Sequence, residues 1–170
     1  MSDVVVGIVM GSKSDLDVMS GAAAVLDRFG VGYEVRIISA HRTPEEMMSY
    51  AAGAEGRGLK AIIAGAGGSA HLPGMTASHT SLPVIAVPVK RDHHDHEALW
   101  SSIKMPSGIP LAVVPENGAD NAALLVVRVL SLGDPALAQQ QAAFVESLRA
   151  GVLRDDEAVR ADWKAMLPST

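Results

Sequence analysis

The chain contains no cysteine. This excludes disulfides, a thiolate nucleophile, and zinc or iron–sulfur sites built on cysteine. Aromatic residues make up only 4% of the 170 positions, while Ala, Val and Gly abound, with Gly at 16. That balance favours close packing of helices on strands over an aromatic-rich β-sandwich. Positive charge is also scarce. Lys and Arg total 14 against 19 Asp and Glu, a net charge of −5. No basic block is interleaved with aromatics, so a nucleic-acid partner is not expected. No apolar run approaches the roughly 18 residues of a membrane-spanning helix. The opening MSDVVVGIVMGSKSD has no basic stretch before its short apolar run and carries Asp3. It reads as a buried strand and not as a signal peptide. A cytoplasmic protein without a membrane partner is expected. The length suits a single domain, 1–170, with a core over 1–132 and C-terminal helices over 133–170.

Along the chain, apolar β-branched runs alternate with helical patterns. Val4–Met10, Tyr33–Ile38, Ala61–Ala64, Val84–Val87 and Leu111–Val114 read as strands, the fourth stopped by Pro88. Helices are expected after Asp15 to about Phe29, from Pro44 to about Glu55, over Met75–His79, Ala98–Lys104 and Asn121–Leu132. Two more are expected at about Pro135–Ala150 and Asp155–Leu167. Ser12 or Ser14 suits the first N-cap. Thr43, Pro44 and Glu46 spell a capping box. Val159, Trp163, Met166 and Leu167 form one apolar stripe on the last helix. The alternation predicts an α/β fold of three layers. It is a doubly wound, parallel five-stranded sheet in the flavodoxin-like order 2-1-3-4-5, with extra C-terminal helices. Such a sheet binds ligands beyond the carboxyl ends of strands 1 and 3, where the strand order reverses.

Three unusual loops converge there. In Gly11-Ser12-Lys13-Ser14-Asp15, the hydroxyls and the free amides of a helix start suit an anion, and Asp15 suits ribose hydroxyls. The spacing is not that of a P-loop, and no GxGxxG is present. In Ser39-Ala40-His41-Arg42-Thr43-Pro44, Arg42 can grip a phosphate with two bonds, and His41 can exchange a proton near neutrality. AGAGGSAHLPG (64–74) places four glycines in eleven residues, so backbone amides can approach a ligand closely, with His71 shaping the far wall. Lys90–Glu97 alternates His and Asp. It reads as a solvated polar loop in preference to a metal cluster, and no metal is expected. His79 reads as structural or surface, and Trp100 and Trp163 as packing or interface residues.

Taken together, MGSKSD (10–15), SAHRTP (39–44), GAGGSAHLPGM (65–75), MPSGIP (105–110) and NAALL (121–125) resemble the 5-(carboxyamino)imidazole ribonucleotide mutase family of de novo purine biosynthesis. The resemblance runs from residue 10 to about 130. It implies a homo-octamer with active sites at subunit junctions and no cofactor. It implies a small-molecule nucleotide substrate whose carboxylate moves from the exocyclic nitrogen to ring carbon 4. His41 is the implied acid/base. Ser12, Asp15 and Arg42, helped by Ser14 and Ser39, are the implied ribose-phosphate ligands. Ala66, Gly67, His71 and Leu72 are the implied lining of the base and carboxylate pocket. The segments 92–99 and 114–118 depart from the family pattern, and MPSGI and ENGADNAA are similar to the carboxylase type. Two alternatives therefore stand beside the mutase. One is a same-fold carboxylase using carbon dioxide. The other is a paralogue acting on a different ribonucleotide or heteroaromatic acid.

Overall fold

The computed structural model describes residues 3–91 and 96–164. They form two compact units, 1–130 and 131–170. In the first unit, β1 (Val4–Met10) leads through a 3-10 turn (Lys13–Asp15) into α1 (Leu16–Arg28). Then come β2 (Gly32–Ile37), α2 (Pro44–Gly53) and a 3-10 turn (Glu55–Arg57). β3 (Ala61–Gly67), α3 (His71–Ala77), β4 (Val84–Val89) and α4 (Glu97–Ile103) follow. β5 (Ala112–Val113) and α5 (Ala119–Ser131) complete the alternation. The sheet has five strands in the order β2-β1-β3-β4-β5, and every pairing is parallel. This is the expected doubly wound, flavodoxin-like α/β sheet.

The core explains the strand sequences. Successive strand side chains point to opposite faces. Ile62, Ala64 and Ala66 of β3 join Val9, Met47, Tyr50 and Leu72 in one buried cluster under α2 and α3. On the opposite face, Met19 of α1 packs on Gly65. Ile8, Met10, Met19, Leu26 and Ile63 are all 1% exposed or less. Burying each such side chain contributes about 1.5–3 kcal/mol. Hence β1, β3 and β4 are apolar on both faces, whereas the edge strand β2 is not.

Several boundaries differ from the sequence expectation. β3 continues through Gly67, and α3 begins at His71, four residues before the expected Met75. The first glycines of the AGAGG run are therefore strand, not loop. β4 runs past Pro88 to Val89. Proline is tolerated because the Pro88 carbonyl faces β5's side after that short strand has ended. It accepts there from the Asn117 N–H at 2.9 Å, so no ladder donor is missed. The capping box at Thr43 does not form. Thr43 Oγ1 accepts from the Ser39 N–H at 3.0 Å and lies 3.1 Å from the Ser39 carbonyl, to which it donates. The hydroxyl thus closes the SAHRTP turn, and Pro44 still opens the helix. The box forms instead at Ser12: its Oγ accepts from the Ser14 N–H, and its own N–H donates to Asp15 Oδ2.

In the second unit, one helix, α6 (Pro135–Asp162, 28 residues), replaces the two that were expected. Asp134 caps its start, accepting from the Ala136 and Leu137 N–H groups. Gly151 does not break it. A lone interior glycine costs about 1 kcal/mol, and no proline lies between Gly151 and the end of the helix at Asp162. Met166 and Leu167 of the expected stripe lie outside the described residues.

Candidate active site

The carboxyl ends of β1, β2, β3 and β4 surround a cavity of about 460 Å³. Gly11, Ser12 and Asp15 line it from the β1 end, and Ser39, Ala40, His41 and Arg42 from the β2 end. Ala66, Gly67, Ser69, His71 and Leu72 enter from β3 and α3, and Arg91 from β4. Of the residues that the sequence assigns to the site, all but Ser14 line this cavity. Ser14 stands just behind, its hydroxyl on those of Ser12 and Arg91's guanidinium.

Each wall follows from local structure. The Ser12 box turns the chain sharply at the end of β1 and points Asp15 inward, where it is 2% exposed. The Ser39–Thr43 bonds close a tight turn after β2. That turn places Arg42 so that Nη2 donates to the Gly11 carbonyl at 2.9 Å and Nε to Ser39 Oγ at 3.3 Å. The β1 and β2 loops are thereby tied together by the arginine itself. On the β3 side, α3 presents His71 from its first position. Ala70 N–H donates to Ser101 Oγ at 2.9 Å, and Ser69 Oγ donates to Glu97 Oε1 at 2.8 Å, fixing the approach to α3.

His41 Nε2 lies 2.8 Å from His71 Nδ1, with the rings edge to face at 4.9 Å between centroids. One nitrogen must donate and the other accept, so the two rings share one proton along this line. A pair of this kind can give a proton to a ligand and take one back. Both imidazoles are exposed in the single chain. Asp15 is the acid of the cavity whose titration departs from the ordinary value. Burial pushes its carboxyl above the ordinary value, and Arg91, the Ser12 N–H and Arg42 pull it back only in part. With Arg42 and Arg91 against one carboxylate, the cavity carries a surplus cation and suits an anionic ligand.

Arg91, Ala40 and Ser69 were not singled out in the sequence. Arg91 lay inside the segment read as a solvated polar loop. Asp92–Asp95 of that segment, with the metal question attached to His93 and His94, lie outside the described residues. Among the described residues, no group of three or more His, Asp or Glu is arranged to hold a metal ion. His96 sits apart, with Nδ1 2.7 Å from Glu116 Oε2. His79 is structural, its Nδ1 2.9 Å from the Met75 carbonyl.

Residues 5–150 match the family described as AIR carboxylase. A Thermotoga maritima protein named N5-carboxyaminoimidazole ribonucleotide mutase is 50% identical over 149 residues, which cover 87% of this chain and 87% of that protein. A Mycobacterium tuberculosis protein of the same name is 54% identical over 144 residues, covering 84% of this chain and 83% of that one. A Schizosaccharomyces pombe phosphoribosylaminoimidazole carboxylase is 49% identical over 162 residues, 94% of this chain, but the chain spans only 29% of its length. The crystal structure of Treponema denticola PurE superposes with a TM-score of 0.85 at 36% identity, covering 91% of this chain and 98% of that one.

Proposed function

The chain belongs to the AIR carboxylase family, and from that premise we propose that it is an N5-carboxyaminoimidazole ribonucleotide mutase of purine biosynthesis. The observation that carries this reading is the cavity in which His41 faces His71 while Arg42, Asp15 and the Ser12 turn stand opposite. The arginine and hydroxyls hold the ribose phosphate, and Asp15 takes the ribose hydroxyls. Ala66, Gly67, His71 and Leu72 line the space for the imidazole and its carboxylate.

The chemistry needs little more. The N-carboxylate bond breaks and carbon dioxide is released inside the cavity. The exocyclic nitrogen gains a proton from His41. Ring carbon 4 then attacks the trapped carbon dioxide, and the proton on that carbon passes to His41, which restores the starting state. One histidine moves both protons. Trapping the carbon dioxide keeps its effective concentration at the ring high. No cofactor or metal enters these steps. Because His41 and His71 are exposed in one chain, the trap needs further walls. A homo-octamer with sites at subunit junctions, as the family resemblance implies, supplies them, and light scattering on the purified protein tests the assembly. Among the described residues no helix is long and apolar enough to cross a membrane. A cytoplasmic location, with neither nucleic acid nor membrane as partner, fits a small-nucleotide enzyme.

The carboxylase reading, in which the decarboxylated ribonucleotide combines with carbon dioxide, is favoured by one observation, the carboxylase name of the S. pombe relative. The test is the ultraviolet absorbance of 4-carboxy-5-aminoimidazole ribonucleotide incubated with the protein. Interconversion with the N-carboxylated isomer, independent of added bicarbonate, establishes the mutase. Dependence on the decarboxylated ribonucleotide and bicarbonate establishes the carboxylase. No change with either substrate pair overturns both and leaves the paralogue.

A further inference from the structure

Arg91 follows β4, yet its side chain ends at the β1 turn. In the sheet, β3 lies between β1 and β4, so the side chain crosses the end of β3. Gly67 makes the crossing possible. A Cβ there would lie 2.7 Å from Arg91 Nε, 3.2 Å from its Cγ and 3.0 Å from the Val89 carbonyl. The side chain passes close to Gly67, where no side chain stands in the way, and lines the cavity. Nη2 donates to Ser14 Oγ at 2.9 Å and to Asp15 Oδ1, and Nη1 donates to the Ser14 carbonyl at 3.4 Å. Arg42 reaches the same turn from the opposite side, donating to the Gly11 carbonyl. Two guanidiniums thus flank a turn that also presents the Ser12 and Ser14 hydroxyls.

We propose that Arg91 is a second phosphate-binding arginine of this site, acting opposite Arg42 on a ligand that carries a phosphomonoester. This rests on reading the cavity as a ribonucleotide site. Two arginines around one buried carboxylate leave a surplus positive charge at the hydroxyl-bearing turn. A phosphate dianion matches that surplus. Asp15 and Ser14 hold the Arg91 fork in place before the ligand arrives, so little side-chain freedom remains to be lost on binding. The arginine therefore selects the phosphorylated nucleotide over the free nucleoside.

Inorganic phosphate is the probe. Calorimetric titration of the intact protein is expected to show phosphate binding that Arg91→Ala weakens at least tenfold and Arg91→Lys weakens less. With a ribonucleotide substrate, Arg91→Ala is expected to raise KM by more than it lowers kcat. Phosphate binding as tight in Arg91→Ala as in the parent overturns the proposal, whatever happens to Tm, because a structural brace would move Tm alone. A parent protein that binds no phosphate overturns it too. If Arg91→Ala does not fold, Arg91→Lys decides alone, and an unchanged phosphate affinity and KM in that variant overturns the proposal. Loss of phosphate binding in a protein that turns over neither imidazole ribonucleotide pair upholds Arg91 while the functional reading falls. Normal turnover with unaltered phosphate affinity does the reverse.

Discussion

Two polar cavities of nearly equal size open on the first unit. One, of about 460 Å³, sits at the strand carboxyl ends. The other, of about 480 Å³, lies beside β2 and α2 and is lined by Glu34, Arg36, Glu45, Glu46, Ser49, Tyr50 and Arg57. Each contains two arginines and at least one carboxylate. In the second, the carboxylates outnumber the arginines three to two, and Arg57 pairs with Glu34. Arg57 bonds Glu34 at 3.2 Å, donates to the Tyr50 carbonyl and lies 4.6 Å over the Tyr50 ring. Its residues come from one edge strand, one helix and the turn after it, all close in sequence. In the first, the groups arrive from the ends of four strands, the arginines outnumber the carboxylates, and two imidazoles share a proton. Size and polarity are common to both. Convergence of separate loops on a surplus of positive charge, next to a group that can move protons, separates a site from a packing seam.

The largest effect that could break this contrast is catalytic. His41→Asn is expected to lower turnover about 10²–10⁴-fold, the usual contribution of a positioned acid/base, while Tm and circular dichroism stay near those of the parent, because His41 is exposed. Arg57→Ala in the other cavity is the matched control. Its ion pair is 42% and 31% exposed at the two side chains, so its loss is expected to cost at most about 1 kcal/mol and to leave turnover within about twofold. Turnover that survives in His41→Asn, or collapses in Arg57→Ala with the fold intact, would dissolve the distinction between the two cavities.

The difference between the cavities was partly legible in the sequence. The three loops of the first stood out because each follows an apolar run and carries residue types that a plain turn does not need: Ser12 and Asp15, His41 and Arg42, and the glycines before His71. The strand order could then be inferred from β/α alternation, and it alone brings those loops together. Arg91 was not legible, because its partners lie 76 and 77 residues earlier and its neighbours are polar. The available signal was Gly67, which is paired with Val89 in the β3–β4 register and lacks the Cβ that would block the crossing. Thr43 was misread for a related reason. Its hydroxyl had two candidate partners, the first helical turn and Ser39, and sequence spacing describes only the first. The single α6 was missed because Gly151 and the acidic residues after it look like a stop and a new cap, although neither is strong enough to end a helix.

A stability measurement sharpens the contrast from the other side. The Tyr50 hydroxyl is buried and has no well-formed hydrogen bond among the described residues, while burial, followed by the nearby Glu34 carboxylate, pushes its pKa up. It rests against Gly7 of β1, where a Cβ would lie 2.2 Å from the phenol oxygen and 3.3 Å from Leu59 Cδ1. Gly7→Ala is expected to cost about 1–3 kcal/mol through overpacking. Tyr50→Phe removes an unsatisfied polar atom and is expected to be neutral or slightly stabilising. Combined with Gly7→Ala it should recover most of the loss, because the nearest ring atom is then Cζ at 3.3 Å. Urea unfolding of the two single variants and the double variant measures the coupling. Additive effects would mean that the phenol oxygen is not what makes this position a glycine.

The smallest expected effect returns to the first cavity and runs opposite to intuition about an ion pair. Asp15 touches Arg91, yet burial outweighs the pull of Arg91, the Ser12 N–H and Arg42, so its folded carboxyl titrates above the ordinary 3.8. The folded chain then binds this proton more tightly than the unfolded chain. Stability from the group is full below the unfolded value and is lost as pH rises through the folded one. Asn at this position keeps an oxygen for the Ser12 N–H and removes the buried charge. Asp15→Asn is therefore expected to raise stability slightly near pH 7, and to lose that advantage as pH falls through the range where the folded carboxyl takes up its proton. A variant less stable than the parent at pH 7 would show that the Arg91 pair outweighs burial after all. The expected gain, with ligand binding weakened, would mean that the site keeps an ionised carboxylate against the preference of the fold, whereas the β2–α2 cavity, where Arg57 and Glu34 pair openly to solvent, carries no such buried charge to relieve.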